Sequence, residues 1–353
     1  MKLENLEAAR GFAALYVLLH HLDPLAGTRL QPLLRFGQEA VIMFFLVSGF
    51  VIYLSYAKSK GGQTPGEFMW RRALRIYPIF ILALGLAVLA NAVKGDMSCL
   101  TVQDLVGNLL MLQDIARVKG GTWVAPLCTN TPLWSLSYEW WFYVAFTGLF
   151  LGGSLSGHNS KRIAVAAIVI FGTLAYIALP AQPFLFASYF CLWWAGLELA
   201  MEYVETGSIS LRGQRFSIAL MLVGAALWAL LAIRFVAAGR PLSTGAEPVL
   251  QIRHFATGII LVLAVVLGRR FGTVPKQFVM AFSRIAPISY GLYVSHQPVI
   301  ILVHELDLPR IAEICISILC ALACAYILEL VFQPAVMRVF SEMGLTKRPR
   351  EAR

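Results

Sequence analysis

The sequence is poor in charged residues. Asp, Glu, Lys and Arg together make up 14% of its 353 residues, whereas hydrophobic residues make up 59%. Apolar runs close to 20 residues long recur along the chain, and that is the length a helix needs to cross a bilayer. This composition excludes a soluble globular domain. It predicts an all-α, polytopic integral membrane protein built as a helical bundle.

The sequence also lacks the short motifs of several enzyme classes. It contains no GxSxG, no Walker phosphate-binding loop, no HExxH and no Cys/His set with zinc-binding spacing. We therefore predict no metal site and no nucleotide-hydrolysing reaction. The formal net charge of +10 does not indicate a nucleic-acid partner, because the basic residues are dispersed over short loops between apolar runs.

About ten transmembrane helices are predicted from the apolar runs. They cover residues 5–23, 38–56, 76–93, 133–152, 163–180, 184–203, 216–237, 249–268, 286–305 and 311–332. Most Lys and Arg residues outside these ranges lie in loops on the side of the two termini, so both termini are predicted to be cytoplasmic. Residues 1–338 would form one membrane-embedded domain, and residues 339–353 a basic cytoplasmic tail.

Residues 94–132 form the one long loop predicted on the outer side. We expect it to hold a short amphipathic helix from Thr101 to Asp114. The loop also contains Cys99 and Cys128, which in an oxidising periplasm would form a disulfide; the alternative is two unpaired thiols. Four further cysteines lie within predicted spans and are expected to be small packing residues: Cys191, Cys315, Cys320 and Cys324.

The first predicted helix carries a cation and an imidazole on one face. Arg10 and His21 are 11 residues apart, so they project from the same side, roughly 16 Å apart along the helix axis. A cation at membrane depth costs roughly 2.5–3.5 kcal/mol, which makes such a residue a functional candidate. The alternative is that Arg10 reaches the lipid headgroups while His20 and His21 lie at the opposite interface.

A second basic feature lies at the cytoplasmic end of the third predicted span. Arg72 and Arg75 share one helical face there. Two guanidinium groups side by side repel each other unless an anion lies between them, and their planar forks suit phosphate oxygens. The alternative is ordinary anchoring to anionic lipid.

A carboxylate lies among aromatic residues in the segment PLWSLSYEWWFY, residues 132–143. We expect this helix to enter from the outer side, which would place Glu139 about two turns below the surface. A poorly solvated carboxylate needs a partner, and His21 is predicted at a similar depth. A carboxylate that orients an imidazole makes it a stronger general base. Most of the aromatic rings could instead form an interfacial belt.

The segment ISYGLYVSHQPV, residues 288–299, is polar for a predicted span. Its Tyr290 and His296 indicate a polar-lined cavity, although a helix–helix interface with hydrogen-bonded hydroxyls would look similar. A phosphate-binding end and a base separated by a hydrocarbon core of about 30 Å suggest a long, thin donor. Acyl-CoA has this form, with phosphates at one end and a thioester at the other.

At this point the chain resembles a known family. Residues 3–335 resemble the acyltransferase-3 family of integral membrane acyltransferases, which includes bacterial enzymes that O-acetylate surface polysaccharides and Nod factors. The resemblance rests on five segments in order: LEAARGFAALYVLLHHL, FFLVSGFVI, RRALRIYP, PLWSLSYEWWFY and ISYGLYVSHQPV. It implies transfer of an acyl group, expected to be acetyl, from cytoplasmic acyl-CoA to a carbohydrate hydroxyl at the outer face of the bacterial inner membrane.

Three motifs of this family carry over to numbered residues. Its arginine–ten residues–histidine motif falls on Arg10 and His21, which favours His21 over His20 as the catalytic histidine. Its paired arginines fall on Arg72 and Arg75, implying contact with acyl-CoA phosphates, and its serine-x-glutamate signature falls on Ser137 and Glu139. The chain departs from the family at Trp140–Trp141, where members often carry a glutamate or glutamine and a small or apolar residue. None of these 353 residues is expected to form the hydrolase-like extracellular domain that some members append.

These observations lead to a set of predicted site residues. We predict His21 and Glu139 as catalytic, Arg10, Arg72 and Arg75 as acyl-CoA-binding, and Ser137, Trp134, Tyr290 and His296 as substrate-binding. For Arg10, a structural pairing with Glu7 is the alternative. His21 would deprotonate the acceptor hydroxyl or accept the acyl group transiently, and the residues alone leave both routes open.

The predicted partners are acyl-CoA, a carbohydrate or glycan acceptor and membrane lipid, with no permanently bound cofactor and with homo-oligomerisation left open. The alternative function is a transporter or flippase of an anionic lipid-linked precursor, because ten spans with buried charge also describe carriers. A carrier would be expected to show an internal repeat and Gly/Pro-broken helices in matching halves, and neither is clear. A non-catalytic membrane sensor or assembly partner is the third possibility.

Overall fold

Residues 3–59, 62–153, 157–268 and 274–345 are described by the computed structural model. Its α-helices, in chain order, are α1 (Leu3–Leu22), α2 (Gly37–Lys58), α3 (Pro65–Lys94), α4 (Val102–Leu109), α5 (Trp134–Phe146), α6 (His158–Ala178), α7 (Gln182–Thr206), α8 (Arg215–Ala237), α9 (Val249–Leu267), α10 (Lys276–Ser283), α11 (Ser289–His304), α12 (Arg310–Tyr326) and α13 (Gln333–Glu342). π-Helical segments, Thr147–Leu151 and Ile327–Phe332, extend α5 and join α12 to α13. Residues 346–353 of the predicted tail lie outside the described residues.

Each of the ten predicted spans corresponds to a helix, so the polytopic helical fold is confirmed. Seven helical stretches of the described chain are long and apolar enough to cross a membrane. Among the helices that match predicted spans, α1, α5 and α11 do not qualify, and these three carry most of the predicted site residues. Chemistry-bearing residues therefore lie on the helices that look least like membrane spans, as expected where polar groups face a protein interior.

The third predicted span is longer than its apolar run. Thr64 caps α3 by accepting a hydrogen bond from the Glu67 N–H, while the Thr64 N–H donates to the Glu67 carboxylate, both at 3.2 Å. Such a capping box, followed by proline, starts a helix. α3 then continues through Pro78 to Lys94. Arg72, Arg75 and Lys94 are consequently held on one continuous helix.

The centre of the bundle is α7, which packs closely against α2. A Cβ atom added at Gly49 would overlap the carbonyl oxygen of Trp193, and one added at Gly196 would overlap the carbonyl oxygen of Leu46. Small residues at a crossing let two helix backbones approach closely. Trp193 and Trp194 fill the space beside this crossing and are fully buried.

Residues 101–132 differ from the predicted outer loop because they fold back into the bundle. α4 is shorter than expected, ending at Leu109, and the Leu109 carbonyl accepts a hydrogen bond of 2.9 Å from the Tyr77 hydroxyl. Tyr77 lies roughly 25 Å along the α3 axis from Lys94, at 1.5 Å per residue. The Met111 carbonyl likewise accepts from the Trp141 indole at 2.9 Å. This segment is therefore re-entrant.

Side chains satisfy the backbone polar groups of the re-entrant segment. Gln113 donates to the Leu133 carbonyl at 3.0 Å, and Gln182 donates to the Leu112 carbonyl at 2.5 Å. Asn108 donates to the Ala125 carbonyl at 2.8 Å. Irregular backbone at membrane depth is tolerated only where protein groups satisfy it in this way. α5 accordingly begins inside the protein, where Pro132 is buried, and the expectation that Glu139 lies about two turns below the outer surface is wrong.

The cysteines divide into two groups. The predicted disulfide between Cys99 and Cys128 is confirmed, and it closes the re-entrant segment on itself. Cys191 is buried, as expected for a packing residue. Cys315 and Cys320 are exposed on α12, so the expectation that they are packing residues is wrong for these two, whereas Cys324 is half-buried.

Candidate active site

A cavity of about 310 Å³ lies between α1, α2, α3, α5 and α11. We call it the arginine cavity. Its polar lining consists of Arg10, Ser48, Arg72, Arg75, Ser135, Glu139, Tyr143, Ser289, Tyr290 and Tyr293. Four of the predicted site residues besides Glu139 thus share one cavity, namely Arg10, Arg72, Arg75 and Tyr290.

Arg75 is already paired with a carboxylate of the protein. Its Nη1 and Nη2 donate to the two carboxylate oxygens of Glu329 at 2.6 and 3.0 Å, a bidentate arrangement. Glu329 lies in the π-helical segment before α13 and also accepts from the Gly291 N–H at 3.1 Å. The hypothesis that Arg72 and Arg75 need an external anion between them is therefore modified, because Glu329 balances Arg75.

The other two arginines keep donors available. Arg10 donates to the Ser289 hydroxyl at 3.1 Å and does not pair with Glu7, which is exposed. Arg72 has no carboxylate partner among the described residues, and its buried Nε has no hydrogen-bond acceptor there. A buried donor without a partner is unusual in proteins and indicates a place for a ligand or an ordered water.

Glu139 is held by hydroxyl groups. Its Oε1 accepts hydrogen bonds from Tyr143 and, at 2.6 Å, from Ser48. The Trp193 indole donates to the same Ser48 hydroxyl at 3.2 Å. The carboxylate therefore occupies a fixed position in the arginine cavity, close to guanidinium groups.

A second cavity of about 310 Å³ lies beyond the far end of α1. We call it the histidine cavity. Its charged and titratable lining consists of His21, Asp23, Lys94, His304, Glu305, Arg310 and Glu313. Within it, Glu313 accepts hydrogen bonds from His304 at 2.9 Å and from Arg310 at 3.0 Å. This cavity therefore contains charges of both signs.

The two cavities lie toward opposite ends of the bundle, because three helices run past both. In α1, Arg10 lines the arginine cavity and His21 lines the histidine cavity. The corresponding pairs are Arg75 and Lys94 in α3, and Tyr293 and His304 in α11. The spacings correspond to roughly 16, 28 and 16 Å along the three helix axes.

A short row of rings separates the cavities. His21 stacks on His296, with ring centroids 5.1 Å apart and planes at 27°. The ring of Tyr293, which lines the arginine cavity, lies 6.2 Å from that of His296. His296 is fully buried, its Nδ1 lies 3.0 Å from the Leu292 carbonyl, and its Nε2 has no hydrogen-bond partner in the described chain. An imidazole nitrogen is thus available between the two cavities.

The structure does not bring His21 and Glu139 together. They line different cavities, and their contacts are with different residues: His21 with His20 and His296, Glu139 with Ser48 and Tyr143. The reason is the re-entrant segment, which starts α5 within the bundle and carries Glu139 toward the arginines. The expected meeting across one channel is not observed.

Ser137 and Trp134 contact neither cavity. Ser137 is fully buried and donates to the carbonyls of Gln113 and Trp134 at 2.8 and 2.6 Å. The ring of Trp134 lies 3.6 Å from the Lys119 ammonium, which also pairs with Asp114 at 2.8 Å. These two of the four predicted substrate-binding residues therefore contact the buried re-entrant segment instead.

His20 and His21 have different surroundings. The Nδ1 of His20 lies 2.5 Å from the Leu34 carbonyl, so His20 fixes the connection to α2. The His21 ring instead lines the histidine cavity. Of the two histidines, His21 alone lines this cavity, and its catalytic role stays a prediction.

Sequence reasoning missed Ser48, Asp23 and Glu329. Glu329 was detectable, because it is a carboxylate within an apolar run. Ser48 was a weaker signal in the segment FFLVSGFVI. Asp23 is the last residue of the predicted span 5–23 and gave no signal, because an acidic residue at the end of a span is ordinary.

Comparison with known proteins now decides the family. The family model described as "Acyltransferase domain" matches residues 3–330. The chain belongs to the acyltransferase-3 family. No solved structure matches the chain significantly.

Three known proteins are similar to this chain over shorter stretches than the family model. The chain is similar to the acyltransferase MdmB of Streptomyces mycarofaciens, at 35% identity over 156 residues, covering 41% of this chain and 38% of the relative. It is similar to the exopolysaccharide production protein ExoZ of Rhizobium meliloti (strain 1021), at 32% identity, covering 32% and 34%. It is similar to nodulation protein 10 of Rhizobium leguminosarum bv. viciae, at 35% identity, covering 27% and 26%. The matches span less than two fifths of each relative.

Proposed function

We propose that this acyltransferase takes an acyl group, expected to be acetyl, from cytoplasmic acyl-CoA and transfers it to a carbohydrate hydroxyl on the outer side of the bacterial inner membrane. The observation that carries the proposal is the pair of cavities at opposite ends of the bundle, separated by the rings of Tyr293, His296 and His21. The similarity to a protein named for exopolysaccharide production supports a carbohydrate acceptor.

The arginine cavity is the proposed donor site. The excess of Lys and Arg in loops on the side of the termini assigns this end of the bundle to the cytoplasm. Arg10 and Arg72 have donors available for phosphate oxygens, whereas Arg75 is held rigid by Glu329. The phosphate-bearing end of acyl-CoA would bind here, with its thioester extending toward Tyr293.

The transfer would take place at the row of rings. In the direct route, an imidazole nitrogen of His21 takes the proton from the acceptor hydroxyl, the hydroxyl oxygen attacks the thioester carbonyl carbon, and the carbon–sulfur bond breaks. The CoA thiolate leaves and is protonated, and the imidazole releases the proton it accepted. In the covalent route, the His21 nitrogen attacks the thioester carbonyl carbon, the carbon–sulfur bond breaks and the CoA thiolate leaves and is protonated. The acceptor hydroxyl oxygen then attacks the acyl carbon, the carbon–nitrogen bond breaks, and the hydroxyl proton passes to the released imidazole.

The decisive experiment uses purified protein in proteoliposomes with radiolabelled acetyl-CoA and a panel of methyl glycosides. We expect His21→Ala to abolish label transfer without lowering thermal stability, and His158→Ala to transfer normally, because His158 lies at the start of α6 and lines neither cavity. Full transfer by His21→Ala would refute the mechanism. Movement of an intact lipid-linked precursor without acylation would instead support a flippase.

A further inference from the structure

Asp23 lines the histidine cavity and has a left-handed backbone conformation. It follows the last residue of α1 and has a φ of +42°, a conformation that is uncommon outside glycine, asparagine and aspartate. Its N–H donates to the Leu19 carbonyl at 2.9 Å, and its own carbonyl accepts from Ala26 at 3.0 Å. These two hydrogen bonds hold the backbone of Asp23 in place at the end of α1.

Only one of the two oxygens of the Asp23 carboxylate accepts a hydrogen bond from a described residue. Its Oδ2 accepts a hydrogen bond of 2.6 Å from the Gln31 amide, which fixes the orientation of the side chain. Its Oδ1 is buried and has no hydrogen-bond partner in the part of the chain that the structure describes. A buried carboxylate oxygen without a donor is costly, so a donor supplied by a ligand would stabilise it.

The other charges of the cavity restrict what that ligand can be. Glu313 is occupied by His304 and Arg310, whereas Glu305 and Lys94 form no ion pair with any described residue. An anionic ligand would meet the carboxylates of Asp23 and Glu305. Among the described residues that line the cavity, Lys94 is the one lysine or arginine without an ion pair that could offset this repulsion. Like charges brought together in a cavity disfavour a ligand strongly. A neutral molecule rich in hydroxyl groups has the donors that Asp23 lacks and avoids this repulsion.

We propose that Asp23 binds the acceptor and selects a neutral, polyhydroxylated sugar. Its Oδ1 accepts a hydrogen bond from a second hydroxyl of the sugar whose first hydroxyl faces His21, two residues earlier in the chain. This inference rests on the proposed function, because it requires the acceptor to enter the histidine cavity. It adds a specificity-determining residue and separates neutral from acidic acceptors.

The test uses Asp23→Asn, in which the side chain keeps its shape and asparagine tolerates the left-handed backbone. In proteoliposomes with acetyl-CoA, we expect the KM for neutral methyl glycosides to rise about tenfold or more, because the hydrogen bond loses its charge. The KM for acetyl-CoA should not change. The preference for methyl glycosides over methyl glycuronides should weaken. Asp23→Gly, which accommodates a positive φ, should raise the same KM if the asparagine variant folds poorly.

Asp96→Asn is the matched control. Asp96 is an exposed aspartate in the loop after α3 that lines neither cavity, and hydrogen bonds from Ser98 lower the pKa of its carboxyl, so it is ionised at neutral pH. The control should behave like the unmodified chain. An independent readout is thermal stabilisation by millimolar methyl glucoside, which Asp23→Asn should lose.

Two failures can be told apart. If both Asp23 variants keep the acceptor KM and the preference for neutral glycosides while His21→Ala is inactive, the proposal for Asp23 is overturned and the proposed function stands. If the unmodified chain acylates no glycoside and is not stabilised by methyl glucoside, the proposed function fails and the proposal for Asp23 fails with it.

Discussion

The imidazole of His296 stacks on that of His21, with centroids 5.1 Å apart. This pair, rather than a histidine–carboxylate pair, lies between the two cavities. Because the Nδ1 of His296 is occupied by the Leu292 carbonyl, the orientation of the ring is fixed, and its buried Nε2 has no hydrogen-bond partner among the described residues. His296 is thereby a candidate for positioning either His21 or the thioester.

Replacing His296 should separate these two roles of the ring. His296→Phe keeps an aromatic surface for His21 but removes the Nε2 atom, whereas His296→Ala removes both. We expect His296→Phe to lower kcat at least tenfold with little change in either KM, because a group that acts at the reacting centre affects the transition state more than binding. Steady-state kinetics with varied acetyl-CoA and varied glycoside measures this. If His296→Phe were fully active and only His296→Ala were impaired, the ring would serve packing alone.

Arg72 and Arg75 should differ although they look equivalent in the sequence. Arg72→Ala should weaken acetyl-CoA binding at least tenfold with little loss of stability, because its guanidinium has no carboxylate partner among the described side chains. Arg75→Ala should lower the free energy of unfolding by about 1–3 kcal/mol, because it leaves the buried Glu329 carboxylate unpaired. Titration calorimetry and thermal unfolding in detergent measure the two effects.

The matched double variant Arg75→Met with Glu329→Met provides the control for the pair. Removing both charges should recover most of the stability that Arg75→Ala loses, since no unpaired carboxylate remains. An Arg72→Ala variant as unstable as Arg75→Ala would contradict the division of roles.

The positions of the spans were predictable because hydropathy and length report directly on membrane crossing. The depth of Glu139 was not predictable, because the apolar pattern of residues 101–110 is the same for a helix on the membrane surface and for one folded into the bundle. Only tertiary contacts, such as that of Tyr77 with the Leu109 carbonyl, distinguish the two. The error in the depth of Glu139 follows from that ambiguity.

Single side chains of the site were predictable to different degrees. Arg10, Arg72 and Arg75 are cations in or beside apolar runs, and the structure places all three in one cavity. Ser137 and Trp134 lie in the same sequence segment as Glu139, yet their side chains contact the re-entrant segment. Ser137 donates to the Gln113 carbonyl, and the Trp134 ring contacts the Lys119 ammonium. Asp23 could not be found, because its left-handed backbone and its unpaired oxygen arise from the packing of Gln31 and Arg310 around it.

The disulfide should stabilise the re-entrant segment. Cys99 and Cys128 are separated by 29 residues. In the loop-entropy model, a bond that closes a loop of this length raises the free energy of the unfolded chain by about 3–4 kcal/mol. Replacing both by serine should lower the unfolding temperature and make the segment 101–126 sensitive to protease. Cys315→Ser with Cys320→Ser, on the exposed face of α12, is the control and should change neither. Equal protease resistance in both double variants would show that packing alone holds the segment.

Glu139 offers the sharpest distinction between the role expected from sequence and its place in the structure. If Glu139 charged His21, Glu139→Gln would lower kcat and shift its pH dependence. Because Glu139 instead shares a cavity with Arg10 and Arg72, we expect Glu139→Gln to leave the pH dependence of kcat in place. Removal of one negative charge should strengthen binding of the anionic donor several-fold, an effect that weakens with added salt.

The measurements are the KM for acetyl-CoA and the pH profile of kcat of the Glu139→Gln variant, each determined once at low and once at high ionic strength. Glutamine keeps the length of the side chain and can still accept from Ser48 and Tyr143, so the cavity should hold its shape. Ser48→Ala is the control for shape, because it removes one donor to the carboxylate without changing the charge. A shifted pH profile in Glu139→Gln, absent in Ser48→Ala, would mean that the carboxylate communicates with His21 across the row of rings. An unchanged profile with a lower KM would place Glu139 among the groups that set the charge of the donor site.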